Sequence, residues 1–172
     1  EISACLVGSE MCIRDRYFGL MITPKGPYVI EYNSRFGDPE TQVVLELLDS
    51  DLVEIMQAVY EGNLTPEMVH FRDQKAACVI IASGGYPKSY KKGCPIEGLD
   101  AHGQGEGVSV YHSGTKLENG TFYSNGGRVL GVTARADSLQ EALDKAYREV
   151  DQIHFENCFS RRDIGKRALE AK

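Results

Sequence analysis

The sequence predicts an α+β chain in two pieces divided near residue 70, and three observations carry that reading. Short apolar runs separated by Pro/Gly turns fill residues 17–32 and return after residue 75, which is strand texture. Asp51–Glu61 and Ser138–Val150 instead space their apolar residues at helical intervals. Between these regions Asn63–Gln74 is polar with one proline, the best internal boundary. Of 172 residues, 42% are hydrophobic and 26% charged, a globular balance. Nineteen basic against 25 acidic residues give a net charge of −6, which argues against a nucleic-acid partner. No apolar run approaches the roughly 20 residues that span a bilayer. The five cysteines form no CxxC pair and no Cys/His cluster has zinc spacing, so neither a zinc ribbon nor a disulfide scaffold is expected. A reduced, cytoplasmic compartment is the default expectation.

The first sixteen residues, EISACLVGSEMCIRDR, lack the order of a signal peptide, which places a positive residue before its apolar stretch. Cys5–Asp15 resembles a translated sequencing adapter: the codons TCG GAG ATG TGT ATA AGA GAC encode Ser9–Asp15. On that reading residues 1–16 are excluded from the fold, and the true chain extends upstream of Tyr17. Without them 22 acids face 17 bases, because Glu1, Glu10, Asp15, Arg14 and Arg16 drop out.

Tyr17–Thr23 and Tyr28–Tyr32 flank Pro24-Lys25-Gly26-Pro27 and read as a β-hairpin. Asn33–Gly37 is a polar loop. Asp38-Pro39 has the form of a helix start, Asp as N-cap and Pro at the first helical position, with Val43, Val44, Leu47 and Leu48 as the apolar face. A second helix carries Leu52, Ile55, Met56 and Val59 on one face and stops at Gly62. Ala77–Ala82 is a short buried strand closed by Gly84-Gly85-Tyr86-Pro87. Gly107–Tyr111 and Thr121–Tyr123 are strand-like, with Glu118-Asn119-Gly120 as the turn between them. Arg128–Ala134 is a further strand, and Ser138-x-x-Glu141 is a capping box that opens the last long helix.

The chemistry concentrates in Val29–Gln42, VIEYNSRFGDPETQ. Strand alternation places Glu31 and Asn33 on one face, roughly 6–7 Å apart along the chain. A carboxylate and an amide carbonyl at a strand exit can share a hard cation, and Mg²⁺ takes one or two such groups beside substrate phosphates. Arg35 follows on that face if the strand continues, and its planar fork suits a phosphate or carboxylate. Asp38 and Glu40 add carboxylates near a helix N-terminus. The same E-x-N-x-R pattern also describes a solvated strand edge.

EYNSRFGDPETQVVL resembles the signature of the phosphoribosylamine–glycine ligase family of ATP-grasp enzymes. The likeness continues through Ser83–Pro87 (SGGYP), Gly114-Thr115-Lys116, Asn125–Leu130 (NGGRVL) and Arg162–Gly165, and so covers essentially all of Tyr17–Lys172 in order. The resemblance implies that residues 17–71 are the C-terminal part of an ATP-grasp domain and that residues 72–172 form a small β-rich C-terminal domain. It implies an ATP-dependent ligation of glycine to 5-phosphoribosylamine through a glycyl phosphate, in purine synthesis. Glu31 and Asn33 would hold Mg²⁺ or Mn²⁺, Arg35 would be catalytic, and Asp38, Glu40 and Arg128 would bind substrate. The ATP-clamping portion would lie upstream, leaving this chain inactive by itself. Many ATP-grasp enzymes carry a second metal carboxylate on the preceding strand. Tyr17–Thr23 has no acid, which weakens a reading as a biotin-dependent carboxylase. Another ATP-grasp ligase and a non-catalytic binding module are the alternatives.

Bland readings stand beside several of these residues. Asp38 and Glu40 can serve the helix end alone. Ser83–Pro87 reads as a turn, since no P-loop Lys-Ser/Thr follows. His70, His102, His112 and His154 are scattered singly, and Cys78 reads as core. Arg161, Arg162, Lys166 and Arg167 fit a solvated face or a dock on the protein's own acids.

Overall fold

The computed structural model describes residues 17–33, 35–99 and 107–170. The adapter-like segment 1–16 and His102 lie outside the described residues. The chain forms two compact units, one ending at Thr41 and one starting at Gln42.

In the first unit β1 (Tyr17–Thr23) and β2 (Gly26–Asn33) pair antiparallel around Pro24-Lys25. Thr23 Oγ1 fixes the turn, donating to the Gly26 carbonyl at 3.0 Å and accepting from the Lys25 N–H at 3.1 Å. Thr23 to Leu20 pair with Gly26 to Val29, and then the register shifts: Gly19 faces Glu31, leaving Ile30 unpaired as a bulge. Beyond it Phe18 pairs with Tyr32, their rings meeting edge-on at 5.2 Å. Apolar side chains on both faces of the ribbon are exposed, among them Leu20, Ile22, Val29 and Ile30. That is far more apolar surface than two strands can cover for themselves.

Helix α1 spans Glu40–Leu47, so it begins one residue later than expected. Asp38 stands one position outside the cap, and the Gly37 carbonyl takes up the helix entry, accepting from Thr41 N–H at 3.0 Å and Thr41 Oγ1 at 2.6 Å. The expected apolar face is only half-buried: none of Val43, Val44, Leu47 or Leu48 is fully covered.

Helix α2 spans Leu52–Glu61 with Asp51 as N-cap, its carboxylate accepting from Val53 and Glu54 N–H at 2.7 and 3.3 Å, and Gly62 as the stop. Only Ala58 is buried, and Val53, Met56 and Tyr60 are exposed. The polar stretch 63–74 carries a 3-10 turn at Pro66–Met68 and then returns to the end of α1. There Asp49 N–H donates to the His70 carbonyl at 2.9 Å and Arg72 N–H to the Leu47 carbonyl at 2.8 Å.

The centre of the second unit is an antiparallel sheet in the order β4-β7-β3-β8, from β3 (Lys75–Ala82), β4 (Val108–His112), β7 (Arg128–Ala136) and β8 (Phe159–Ser160). Helix α3 (Leu139–Val150), capped by Ser138 Oγ on Glu141 N–H at 3.3 Å, buries Ala142, Leu143, Ala146 and Val150. They pack with Ala77, Val79 and Ile81 of β3 and with Val132, Ala134 and Ala136 of β7. Each large apolar side chain so buried contributes roughly 1.5–3 kcal/mol. A two-stranded β5 (Thr115–Glu118) and β6 (Thr121–Ser124) turns through Asn119-Gly120, both at positive φ (49° and 81°), the hairpin-forming combination. Here the expectation is corrected. The turn joins β6 to β5, while the Val108–His112 strand pairs with β7. The short terminal helix α4 spans Lys166–Glu170. The basic tail docks on the protein's own acids, Arg161 on Asp163 at 2.7 Å and Arg162 on Asp151 at 2.6 Å. No helix among the described residues is long and apolar enough to cross a membrane.

Candidate functional site

Glu31 and Asn33 stand beyond the bulge, opposite Gly19 and Tyr17, so they do share one face of the hairpin. The bulge decides which face. Counted straight from Val29, both would lie beside Leu20. The extra residue carries them to the side of Gly19, which bears no side chain. A Cβ on Gly19 would stand 3.0 Å from Glu31 Cγ, so the glycine leaves the carboxylate its room. Glu31 is exposed, whereas Asn33 is 7% exposed and its Nδ2 has no hydrogen-bond partner. A half-turn of that amide puts Oδ1 in the same place, so a buried oxygen donor can be presented there without moving the backbone. An exposed carboxylate and a buried amide with an unmet valence fit a hard cation that completes its shell with water and phosphate. Among the described residues no three His, Cys, Asp or Glu side chains converge into a self-sufficient metal cage.

The strand does not continue to Arg35. The ladder ends at the Tyr17–Asn33 pair, and Arg35 sits in a bend, exposed, with its guanidinium donating to the Phe36 carbonyl at 2.6 Å. That bond engages one of its five donors. Asp38 is exposed in the turn ahead of α1. Glu40, the first residue of the helix, lays its carboxylate against Gly37. An acid in the first turn also suits the helix dipole. Five of the six sequence-expected site residues therefore fall in the short stretch from β2 to the start of α1.

Arg128, the sixth, belongs to the second unit. It opens β7 beside a second bulge: Ile81 pairs with Leu130 and Ala82 with Arg128, so Val129 is passed over. Without it Arg128 would count with Leu130, Val132 and Ala134 toward the apolar α3. The bulge turns it to the other face of the sheet. Arg128 itself is half-buried.

Sequence reasoning missed a polar cluster on that other face. Glu46 of α1, with a side chain 13% exposed, accepts from Arg135 Nε at 3.0 Å, Tyr111 Oη at 3.0 Å and Ser109 Oγ at 3.3 Å. Arg135 also donates to Gln74 Oε1 at 3.0 Å. Burial, with Glu46 as its neighbour, pushes the Tyr111 hydroxyl above its ordinary pKa of 10.0. A glutamate in the middle of a helix reads as a solvent face, and Arg135 lies 89 residues along the chain, so no local signal pointed to this pair.

Residues 76–167, more than half of the chain, match the family model described as phosphoribosylglycinamide synthetase, C domain. Residues 16–41 match the ATP-grasp (A) domain of the same synthetase. A phosphoribosylamine–glycine ligase of Caldanaerobacter subterraneus subsp. tengcongensis is 49% identical over 148 residues, which is 86% of this chain and 35% of that protein. The crystal structure of the phosphoribosylamine–glycine ligase of Thermotoga maritima superposes with a TM-score of 0.69 at 35% identity, covering 86% of this chain and 36% of that one. A biotin carboxylase from Campylobacter jejuni shares the fold, with a TM-score of 0.56 at 17% identity over 83% of this chain and 32% of that one. This chain thus spans about a third of the length of the ligases it resembles. With a C-domain match over most of the sheet unit and an ATP-grasp match over the hairpin, the chain belongs to the phosphoribosylglycinamide synthetase family.

Proposed function

We propose that this chain is the C-terminal portion of an ATP-dependent ligase that joins glycine to 5-phosphoribosylamine, giving glycinamide ribonucleotide, ADP and phosphate. The observation that carries the reading is the Glu31–Asn33 pair, turned by a bulge onto the open side of Gly19 within the ATP-grasp match. Residues 17–71 are read as the end of the ATP-grasp domain and 72–172 as the β-rich C-terminal domain.

Glu31 and Asn33 would hold Mg²⁺ or Mn²⁺, which when bound supplies positive charge against the nucleotide phosphates. Phosphoryl transfer asks little covalent chemistry of the protein and depends on placement and charge neutralisation. Arg35, permanently charged, faces the group that gains charge as the γ-phosphoryl moves from ATP to the glycine carboxylate. It then steadies the acyl phosphate while the amine of phosphoribosylamine attacks the carbonyl carbon and phosphate leaves. Asp38 and Glu40 supply carboxylates that suit the glycine ammonium. Arg128 offers its fork to a substrate anion.

A chimera tests this reading, with residues 17–172 replacing the matching part of the Caldanaerobacter ligase. It is expected to form glycinamide ribonucleotide, and Glu31→Ala in it to lower the rate about 10²–10³-fold, the cost of losing one preorganised charge-stabilising group. The 172-residue chain by itself is expected to turn over no ATP with glycine and phosphoribosylamine. Unchanged turnover and Mg²⁺ dependence after Glu31→Ala and Asn33→Ala together would overturn the metal role.

A further inference from the structure

Three glycine-bearing segments far apart in sequence meet at one end of the C-terminal sheet: Ser83–Pro87, Ser113-Gly114 and Gly126-Gly127. Ser83 Oγ donates to the Gly126 carbonyl at 2.8 Å, and Ser83 N–H to the Gly127 carbonyl at 2.8 Å. Gly114 lies directly on Gly126, so that a Cβ on Gly114 would stand 2.6 Å from Gly126 Cα and 2.5 Å from the Arg128 carbonyl. The Cδ2–Cε2 side of the Tyr86 ring lies against Gly127, occupying the space that any side chain there would need. Tyr90 meets the Tyr86 ring edge-on, with ring centroids 6.1 Å apart. On the next residue, the Val129 carbonyl accepts from both Ser113 and Gly114 N–H, at 3.0 and 3.1 Å.

All of these contacts but the Tyr90 one bear on the backbone at or beside Arg128. The two glycines before it would otherwise be the most mobile pair in the strand entry, since neither has a Cβ to restrict it. An arginine meant to meet an anion gains most from a fixed base, because its long side chain already loses rotamer freedom on binding. We infer that Tyr86 is a positioning residue for Arg128: its ring, clamped on Gly127 and seconded by Ser83 on Gly126, holds the Arg128 backbone so that the guanidinium is aimed before the substrate anion arrives. The inference rests on the proposed role of Arg128 as an anion-binding side chain. It also explains why the SGGYP and NGGR motifs occur in one sequence: one supplies the ring and the other a backbone with no side chain in its way.

The test is calorimetric or NMR titration of the 172-residue chain with ribose 5-phosphate, with circular dichroism and a melting curve on every variant. Arg128→Ala is expected to weaken binding about tenfold or more, the cost of one charge-assisted contact. Tyr86→Ala and Gly127→Ala are each expected to weaken it about five- to tenfold, with the Arg128 amide resonance broadened. Tyr86→Phe keeps the ring and is expected to bind within about twofold of the parent chain. If Arg128→Ala binds as the parent does, or the parent does not bind at all, the anion role of Arg128 falls. If Arg128→Ala loses binding while Tyr86→Ala and Gly127→Ala keep it, the anion role stands and the positioning role falls. Should both of those variants unfold, Tyr86→Leu decides, since it keeps the apolar volume without a flat ring: parent-like affinity would refute positioning, and a five- to tenfold loss would support it.

Discussion

Removing the Glu46 carboxylate is expected to cost the sheet unit about 2–4 kcal/mol. The carboxylate takes three hydrogen bonds, from Arg135, Tyr111 and Ser109, in a site where its own side chain is only 13% exposed. Glu46→Ala leaves Arg135 with its Gln74 contact and takes the carboxylate acceptor from the Tyr111 and Ser109 hydroxyls. Breaking a fully buried ion pair from one side costs about 3–5 kcal/mol. The Arg135 side chain is 31% exposed, so water recovers part of that loss and the lower range applies. A unit of this size shifts its midpoint by about 3 °C per kcal/mol, which predicts a fall of about 6–12 °C. Glu46→Gln retains an acceptor oxygen and should cost about 1 kcal/mol. Urea denaturation followed by circular dichroism measures both; tyrosine fluorescence serves as a second probe because the chain has no tryptophan. A double-mutant cycle with Arg135→Ala should return a coupling of about 1–3 kcal/mol. A Glu46→Ala loss under about 0.5 kcal/mol, or strictly additive single variants, would refute the claim that this pair anchors α1 to the sheet.

Three further outcomes follow from the same geometry. The Tyr111 hydroxyl is held above its ordinary pKa when folded, so the folded state keeps that proton longer than the unfolded chain. The Tyr111 contribution to stability is therefore complete below pH 10.0 and is lost as the pH rises beyond it, and Tyr111→Phe should flatten that fall in alkaline melting curves. His112, its ring 4.4 Å from that of Phe122, is pushed below its ordinary 6.5 by partial burial; stability should drop as the pH falls through that region, and His112→Gln should remove part of the slope. Asp51→Ala removes the cap of α2 and should cost about 1 kcal/mol by urea denaturation.

What was legible in the sequence was local. The hairpin, the capped helices at Asp51 and Ser138, and the strand after Gly127 each carry their own signal within a dozen residues, a turn dipeptide, a cap or a period. The Thr115–Glu118 strand carried none, because Lys116, Leu117 and Glu118 are exposed and leave no apolar alternation. Asn119-Gly120 therefore reads from sequence as a turn out of the Val108–His112 strand, whereas it joins β5 to β6. Glu31 and Asn33 could be named from alternation, but their side of the ribbon could not, since that depends on Ile30 being left unpaired. Glu46 escaped for the opposite reason to β5: a search for apolar spacing sees a buried charge as a defect in the pattern. The Ser83–Pro87 turn is legible from its own glycines and proline, yet its Tyr86 ring and the Gly127 it covers stand 41 positions apart, beyond the reach of any local rule.

The Phe18–Tyr32 ring contact has a consequence for the parity of the hairpin. Sliding the outer half of the ribbon by one residue would pair Gly19 with Ile30 and set Phe18 across from Glu31, dissolving the aromatic contact and turning the carboxylate and the amide over to the opposite surface. Edge-on rings contribute about 0.5–1.5 kcal/mol beyond their burial, enough to tilt two nearly equivalent alignments several-fold toward one. Two aromatic side chains thus act as a latch that decides which way the proposed metal-binding pair looks.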